Sequence, residues 1–388
     1  MSAADAPAGP PPRSSPRELG FRWPAEWEPQ RATWLAWPHN ADDWPGKFQG
    51  IEWVFCEIIR RLAETERVGL IVASEAAGRA ALETLASVGT NLASVELLVA
   101  ATNRSWTRDY SPTWLVRNIP DRQEPSAPAR QEPSSGSGPR LGAVKWRFNG
   151  WARYPNHELD EAAGERVARA RTSACWFPPR SAADAARFVL EGGAIDGDGQ
   201  GTLLTTSDCL LGKVHERNPG LDQAAIERVL SEYLVVDKVL WLPAGIAGDD
   251  TSGHVDDLAR FVAPARVVLA SETDPRDENY LPLERAREML QGERDAQGRR
   301  IEVIALPMPS ARYQAGERLP ASYANFLIAN GLVLVPTFND PKDRQVLGLL
   351  SELFPDREVV GIHCLDLVWG LGSIHCSTHQ EPAISGEG

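Results

Sequence analysis

The sequence predicts an α/β protein built from several small mixed sheets, and three observations predict it. Short apolar runs alternate with longer amphipathic ones from residue 30 almost to the end. Most helix-like runs have two strand-like runs before them and one after. Hairpin punctuation such as DGDGQ separates paired short runs. A doubly wound sheet more often gives one strand per helix, so the extra hairpins favour small sheets around a centre over an open α/β sheet. The open sheet remains the alternative at this level.

The elements follow in order. RATWLAWP is strand-like, and VFCEIIRRLAE has the helical spacing of apolar residues. VGLIVA and VELLVA read as strands on either side of an Ala-rich helix. TWLVR and AVKWRF are strand-like and flank a Pro/Ser-rich stretch at 118–139, expected as a long surface insertion. FVLEGGAI and GTLLTT read as a hairpin, AAIERVLSEYL as a helix and KVLWLP as a strand. LARFV, RVVLAS, LERAREMLQGE and IEVIALP repeat the rhythm, as do NFLIANG, LVLVPTF, DRQVLGLLSELF and EVVGIHC. The Pro/Ala/Ser-rich residues 1–19 are expected as a tail, 20–384 as a single catalytic domain and 385–388 as a second tail.

Composition narrows the function. With 43% hydrophobic residues in 388, a core can form and wholesale disorder is excluded. A formal net charge of -13 argues against a general nucleic-acid binder and is compatible with a cationic small substrate. The five cysteines include no CxxC pair, so neither a zinc knuckle nor a thioredoxin-like pair is indicated. No signal peptide and no apolar run of about 18 residues is evident, so a cytoplasmic protein without membrane contact is expected.

Four segments could carry chemistry. SWTRDYSPTW places Trp106, Arg108 and Asp109 together before a proline, where an acid beside an indole could grip a cation. A strand-end ion pair beside a buried tryptophan would give the same pattern. In FVLEGGAIDGDGQ, Glu191 precedes Gly192 and Gly193, which let backbone approach a ligand or simply turn. In GDDTSGHVDDLARF, His254 and Asp256 are two apart, and in extended backbone they would share a face. That pair suits general base work with charge recognition, or half of a metal site completed by His215. In VWGLGSIHCSTHQEP, Cys376 sits among glycines and polar residues, a poor environment for an inert core thiol. His375 should face away from it, leaving His254 as the candidate base and His379 as the local rival. Cys56, Cys175, Cys209 and Cys364 lie in apolar runs and read as packed. Of the 13 tryptophans, Trp34, Trp37, Trp44, Trp106 and Trp369 fall near these segments and could wall a site or fill the core.

The runs TWLAWPHNADDWPG, WTRDYSP, EGG, GHVDDLARF and IHCSTHQEP, in that order, resemble the agmatine deiminases. These belong with the bacterial peptidyl-arginine deiminases in the guanidine-modifying superfamily. The resemblance spans Phe21 to Pro382. It implies a fivefold pseudosymmetric α/β propeller of strand-strand-helix-strand modules around a central channel. It implies Cys376 as nucleophile, His254 as general acid/base, and Asp109 and Asp256 as the carboxylates holding the guanidinium. Trp106 and Glu191 would be substrate-binding residues. No metal and no organic cofactor is implied, and a homodimer stays open. The sequence departs from the usual pattern at Gln30 (usually His), Ser111 (usually Gly), Ser373 (usually Asn) and His379 (usually Gln). The expected reaction converts agmatine to N-carbamoylputrescine and ammonia. Peptidyl-arginine or another small guanidino compound is the alternative substrate, and a metallohydrolase or a non-catalytic binding propeller is the alternative class.

Overall fold

The computed structural model describes residues 12, 14–117, 140–181 and 183–384. The insertion expected at 118–139 and the tail at 385–388 lie outside the described residues. The tail expected over 1–19 ends earlier than the composition suggests. Arg17 donates from Nε to the Ser231 carbonyl at 2.9 Å and from Nη2 to the Val236 carbonyl at 2.8 Å. Trp176 Nε1 donates to the Ser14 carbonyl at 2.9 Å, so residues 14–20 are already tied to the body.

Among the described residues the strands form five mixed sheets and two small ribbons. Four sheets repeat one plan: an antiparallel pair, then a helical crossover to a parallel third strand. Thr113–Val116 pairs antiparallel with Leu141–Val144, and helix Glu158–Arg171 leads to Cys175–Trp176. Asp196–Gly197, Thr202–Thr206, helix Gln223–Leu234 and Lys238–Leu242 form the next. Ala259–Ala263, Arg266–Ser271, helix Tyr280–Gln291 and Glu302–Pro307 follow. Leu327–Ala329, Leu332–Thr337, helix Asp343–Leu353 and Glu358–His363 form the fourth.

The fifth sheet joins the two ends of the described chain. Gln30–Ala36 runs parallel to Arg67–Val72 and antiparallel to the late strand His379–Pro382, with Trp34 opposite His379. A further parallel strand, Val95–Val99, extends it. The small mixed sheets are therefore present, and the open single sheet is not.

Local chemistry explains the elements. Helix Phe48–Leu62 buries Ile51, Phe55, Ile58, Ile59 and Leu62, one stripe at helical spacing. The Ser74 and Asp222 side chains cap the two helices that follow them by accepting from Ala77 N and Ala225 N. Leu332–Val335 is apolar and buried throughout, as a strand covered on both faces requires. One expected strand is absent. FVLEGGAI makes a single bridge at Val189 and then a 3-10 turn, Gly192–Ala194, so sheet pairing begins only at Asp196. The reason is a close approach: a Cβ on Gly192 would lie 2.1 Å from the Arg108 carbonyl oxygen. No described helix is long and apolar enough to cross a membrane.

Candidate active site

Each of the five sheets is entered through a turn that carries one element of the site. Asp109 closes into a one-turn helix, Thr107–Tyr110, just before Thr113–Val116. Glu191 and the turn Gly192–Ala194 precede Asp196–Gly197. His254 and the turn Val255–Asp257 precede Ala259–Ala263. Asn325 precedes Leu327–Ala329, and Cys376 precedes His379–Pro382. The turns hold the buried polar groups that regular strands would have to leave unpaired.

Cys376 is 8% exposed and lines a cavity of about 460 Å³ with Asp109, Trp106, Trp151, Tyr154 and Trp369. Its sulfur is 3.7 Å from Asp256 Oδ2 and 3.0 Å from Asn325 Nδ2. Asp109 accepts from Gly193 N at 3.0 Å and from Trp151 Nε1 at 2.8 Å. His254 Nδ1 is 3.8 Å from Asp109 Oδ1. Three of these side chains close around Gly193. A Cβ there would come within 2.5 Å of His254 Nδ1, 3.0 Å of Asp109 Oδ1 and 3.1 Å of Asp256 Oδ2. Only glycine leaves the space in which the imidazole and the two carboxylates meet.

His254 and Asp256 converge as expected, but not by strand alternation. Residues 255–257 form a 3-10 turn, and the loop before it is tied by Asp249, whose Oδ2 accepts from Gly253 N at 2.7 Å and His254 N at 3.0 Å. Those bonds make 249–257 a built loop rather than a wet one. Asp256 is fully buried, with Oδ2 bonded to His375 Nδ1 at 2.7 Å and Oδ1 without a hydrogen-bond partner among the described residues.

Glu191 is not where a substrate-binding acid should be. It is fully buried behind His254, its Oε1 accepting from Arg217 Nε at 3.2 Å and its Oε2 3.8 Å from His254 Nε2. The Arg217 guanidinium draws it away from the cavity and leaves it to act on the imidazole. Trp106 stands on the cavity wall, packed on Trp44 at 5.4 Å and so close to Gly372 that a Cβ there would lie 2.8 Å from the indole. Trp34 and Trp44 are core, and Trp369 lies at the cavity rim. His379 is buried in the sheet with Nδ1 3.2 Å from the Arg108 carbonyl, so it does not serve the thiol. His215 contacts Ser252 Oγ at 2.7 Å. Among the described residues two groups have donor atoms within 4.8 Å of one another, Glu191 with Cys209 and His254, and Asp256 with Asp257 and Cys376. His215, the further ligand available to the alternative metallohydrolase reading, belongs to neither.

Sequence reasoning missed Asn325, His375's partners, Trp151 and Glu26. Asn325 lies in the apolar run YANFLI, and its one signal is position, at the entry to a sheet like every other site residue.

The electrostatics are those of an anionic pocket. Burial pushes the Cys376 thiol well above its usual range, and Asp256, Asp257 and Asp109 push it further. Burial likewise raises Asp109 to about 6, helped by Asp256 and Glu191 and opposed by His254. Burial disfavours a charged His254, but Asp109, Cys209 and Glu191 outweigh it and hold the imidazole well above its ordinary value. Burial also opposes ionisation of Asp256, and His375 more than offsets it, leaving that carboxyl below its usual range.

Five sheets that each lend a turn to one buried cluster of a thiol, an imidazole and carboxylates define an α/β protein with a polar centre. The chain belongs to the Porphyromonas-type peptidyl-arginine deiminase family, whose model matches residues 22–382. It is 36% identical over 403 residues to an agmatine deiminase of Pseudomonas aeruginosa, covering 96% of this chain and 98% of that protein. Its fold matches the solved agmatine deiminase of Enterococcus faecalis with a TM-score of 0.82 at 30% identity, over 95% and 98% of the two chains. It also matches a Campylobacter jejuni agmatine deiminase solved with substrate bound, with a TM-score of 0.76 at 28% identity over 94% and 96%.

Proposed function

We propose that this protein is an agmatine deiminase, hydrolysing agmatine to N-carbamoylputrescine and ammonia through a covalent amidino-cysteine. The observation that carries the reading is the convergence at Gly193. An imidazole and two carboxylates meet there, and the Cys376 sulfur lies 3.7 Å from Oδ2 of one of those carboxylates, Asp256. The entry of all five sheets through site-bearing turns supports the finer architecture, a five-module propeller around a central channel.

The guanidinium lies between Asp109 and Asp256 and uses the unpartnered Oδ1 of Asp256. Its charge offsets the carboxylates that hold the thiol protonated, and Cys376 gives its proton to water in the cavity it lines. The thiolate attacks the guanidinium carbon. His254, held as imidazolium, protonates a terminal nitrogen, and the C–N bond breaks to release ammonia. Water then adds to the amidino-thioether while the now neutral His254 takes one of its protons. The C–S bond breaks as the C=O forms, the remaining hydroxyl proton returns to the departing sulfur through water, and the ureido product and the thiol are free. Glu191 orients His254 and stabilises its charge.

Agmatine is favoured over arginine because the cavity beyond Trp106 is lined by Asp42, Asp43, Asp250 and Glu317. A distal ammonium suits those acids, whereas the carboxylate of free arginine is repelled. The test is kcat/KM on agmatine, free arginine and a blocked arginyl peptide. Agmatine should lead by at least about tenfold, roughly 1.4 kcal/mol of transition-state discrimination. A faster blocked peptide would reassign the substrate and keep the cysteine chemistry.

A further inference from the structure

His375 plays no part in the steps above, yet it is 1% exposed and touches two carboxylates. Its Nδ1 is 2.7 Å from Asp256 Oδ2 and its Nε2 is 2.9 Å from Glu26 Oε2. Glu26 is itself held by Arg260 Nη2 at 2.7 Å, and Arg260 Nε reaches Asp196 Oδ1 at 2.8 Å. The main chain of His375 is fixed too, since Arg108 Nε donates to its carbonyl at 3.2 Å and its own N donates to the Asn325 carbonyl at 3.2 Å. The ring bonds the same Asp256 oxygen, Oδ2, that lies 3.7 Å from the sulfur of the next residue.

We infer that His375 is a positioning residue for deimination, an imidazolium clamped between Glu26 and Asp256 that fixes Asp256 Oδ2 beside the Cys376 sulfur and leaves Oδ1 unpartnered for the guanidinium. The inference rests on the reading of this site as a guanidine-binding one. Each ring nitrogen meets a carboxyl oxygen, and a ring that donates to both acids is the doubly protonated form. Both acids respond as partners of a cation should. Burial works against the charge on Glu26 and on Asp256, and His375 is among the groups that bring both below the usual range, for Glu26 after Arg260.

The neighbouring residue gives a contrast. Asp257 is also buried, but its side-chain partner is the neutral amide of Asn325 at 3.0 Å. Burial and the charges of Asp256 and Asp249 push that carboxyl well above its usual range. Asp256 is brought the other way first by His375, then by His254 and Arg260. The charged or titratable groups around His375 are Glu26, Asp256, Arg108, Arg260 and His379.

The experiment compares wild type with His375→Asn and His375→Ala. The Asn amide nitrogen can stand near the Nδ1 position and donate to Asp256, but it brings no charge and cannot reach Glu26. For His375→Ala, kcat/KM on agmatine should fall about 10- to 100-fold, the range expected for losing a hydrogen bond to a charged group. For His375→Asn the acid limb of kcat/KM should move to higher pH by more than about one unit, past the limb near 6 that Asp109 sets in wild type, as Asp256 comes to resemble Asp257. A folded Asn variant whose acid limb is unmoved overturns the inference, whether or not the Ala variant folds. An equal loss of kcat at all pH values with KM unchanged also overturns it, since that is what a merely structural role would give. The second measurement needs no turnover. Nitrogen-15 spectra of wild type at pH 7 should show His375 with both ring N–H groups, and a singly protonated ring would overturn the inference. If wild type turns over no guanidino compound but the spectrum shows both protons, the reading of the function fails while the clamp stands.

Discussion

Asn325 holds Cys376 at two points with one amide: Nδ2 lies 3.0 Å from the sulfur and Oδ1 accepts from the Cys376 backbone N at 3.2 Å. A neutral donor on the sulfur partly offsets the three carboxylates that oppose the thiolate. Asn325→Ala should therefore lower kcat by about 10- to 100-fold and slow alkylation of Cys376 by iodoacetamide at pH 8. Unchanged alkylation kinetics in a folded variant would remove Asn325 from the chemistry.

Cys376→Ala should abolish turnover and leave the fold intact, because the change removes one sulfur atom from a residue that lines the cavity. Mass spectrometry of an acid-quenched wild-type reaction should find an amidino adduct on the peptide carrying Cys376. Measurable turnover by the Ala variant would end the covalent route.

Gly193→Ala is the smallest change that tests the convergence. The added methyl would enter the space shared by His254, Asp109 and Asp256. A displacement of about 1 Å at reacting groups costs on the order of 100-fold, so a loss of kcat/KM at least that large is expected. Near-normal activity would mean that the three groups do not share one guanidinium.

Binding should weaken at low pH through Asp109. Its folded pKa of about 6 means that the carboxylate is protonated progressively below that value. The kcat/KM of wild type on agmatine should then rise with pH through about 6. An acid limb near 4 would show that Asp109 is not the limiting carboxylate.

Stability should run the other way. Burial raises Asp43, Glu66 and Asp160 to about 7 each. These groups bind protons in the folded state at pH values where the unfolded chain has lost them. Between pH 5 and 8 they make the fold less stable as pH rises, and His254, raised by its partners, adds to that trend. His379 and His215, both lowered by burial, oppose it. The net expectation is a melting temperature several degrees lower at pH 8 than at pH 5.5, read by scanning fluorimetry. A rising melting temperature over that interval would contradict the assigned burial of these acids.

What the sequence shows depends on how local the cause is. The alternation of apolar runs made the small sheets legible, because period and turn chemistry are written within a dozen residues. Cys376, His254, Asp109 and Asp256 were legible through their unusual neighbours. The geometry joining His254 to Asp256 was not, because it comes from Asp249 and a 3-10 turn rather than from strand period. Glu191 was misplaced since its orientation is set by Arg217, 26 residues away. Asn325 was invisible because an amide in an apolar run has no local mark. What singles it out is standing at the mouth of a sheet whose four counterparts also bear chemistry.

The strand His379–Pro382 closes the sheet begun at Gln30, and Trp34 Nε1 donates to Glu381 Oε2 at 2.8 Å across 347 residues of sequence. During synthesis that partner arrives after the strands of the four other sheets. A ribosome-bound chain can fold those sheets in turn, but its first sheet keeps an open antiparallel edge until His379–Pro382 is made. Cys376 emerges just ahead of the strand that completes this edge, so the thiol meets His254 and its acids only after all four of those sheets. No intermediate ending before Cys376 holds an assembled centre, and a truncation before His379 loses the first sheet's lock together with the strand that follows Cys376.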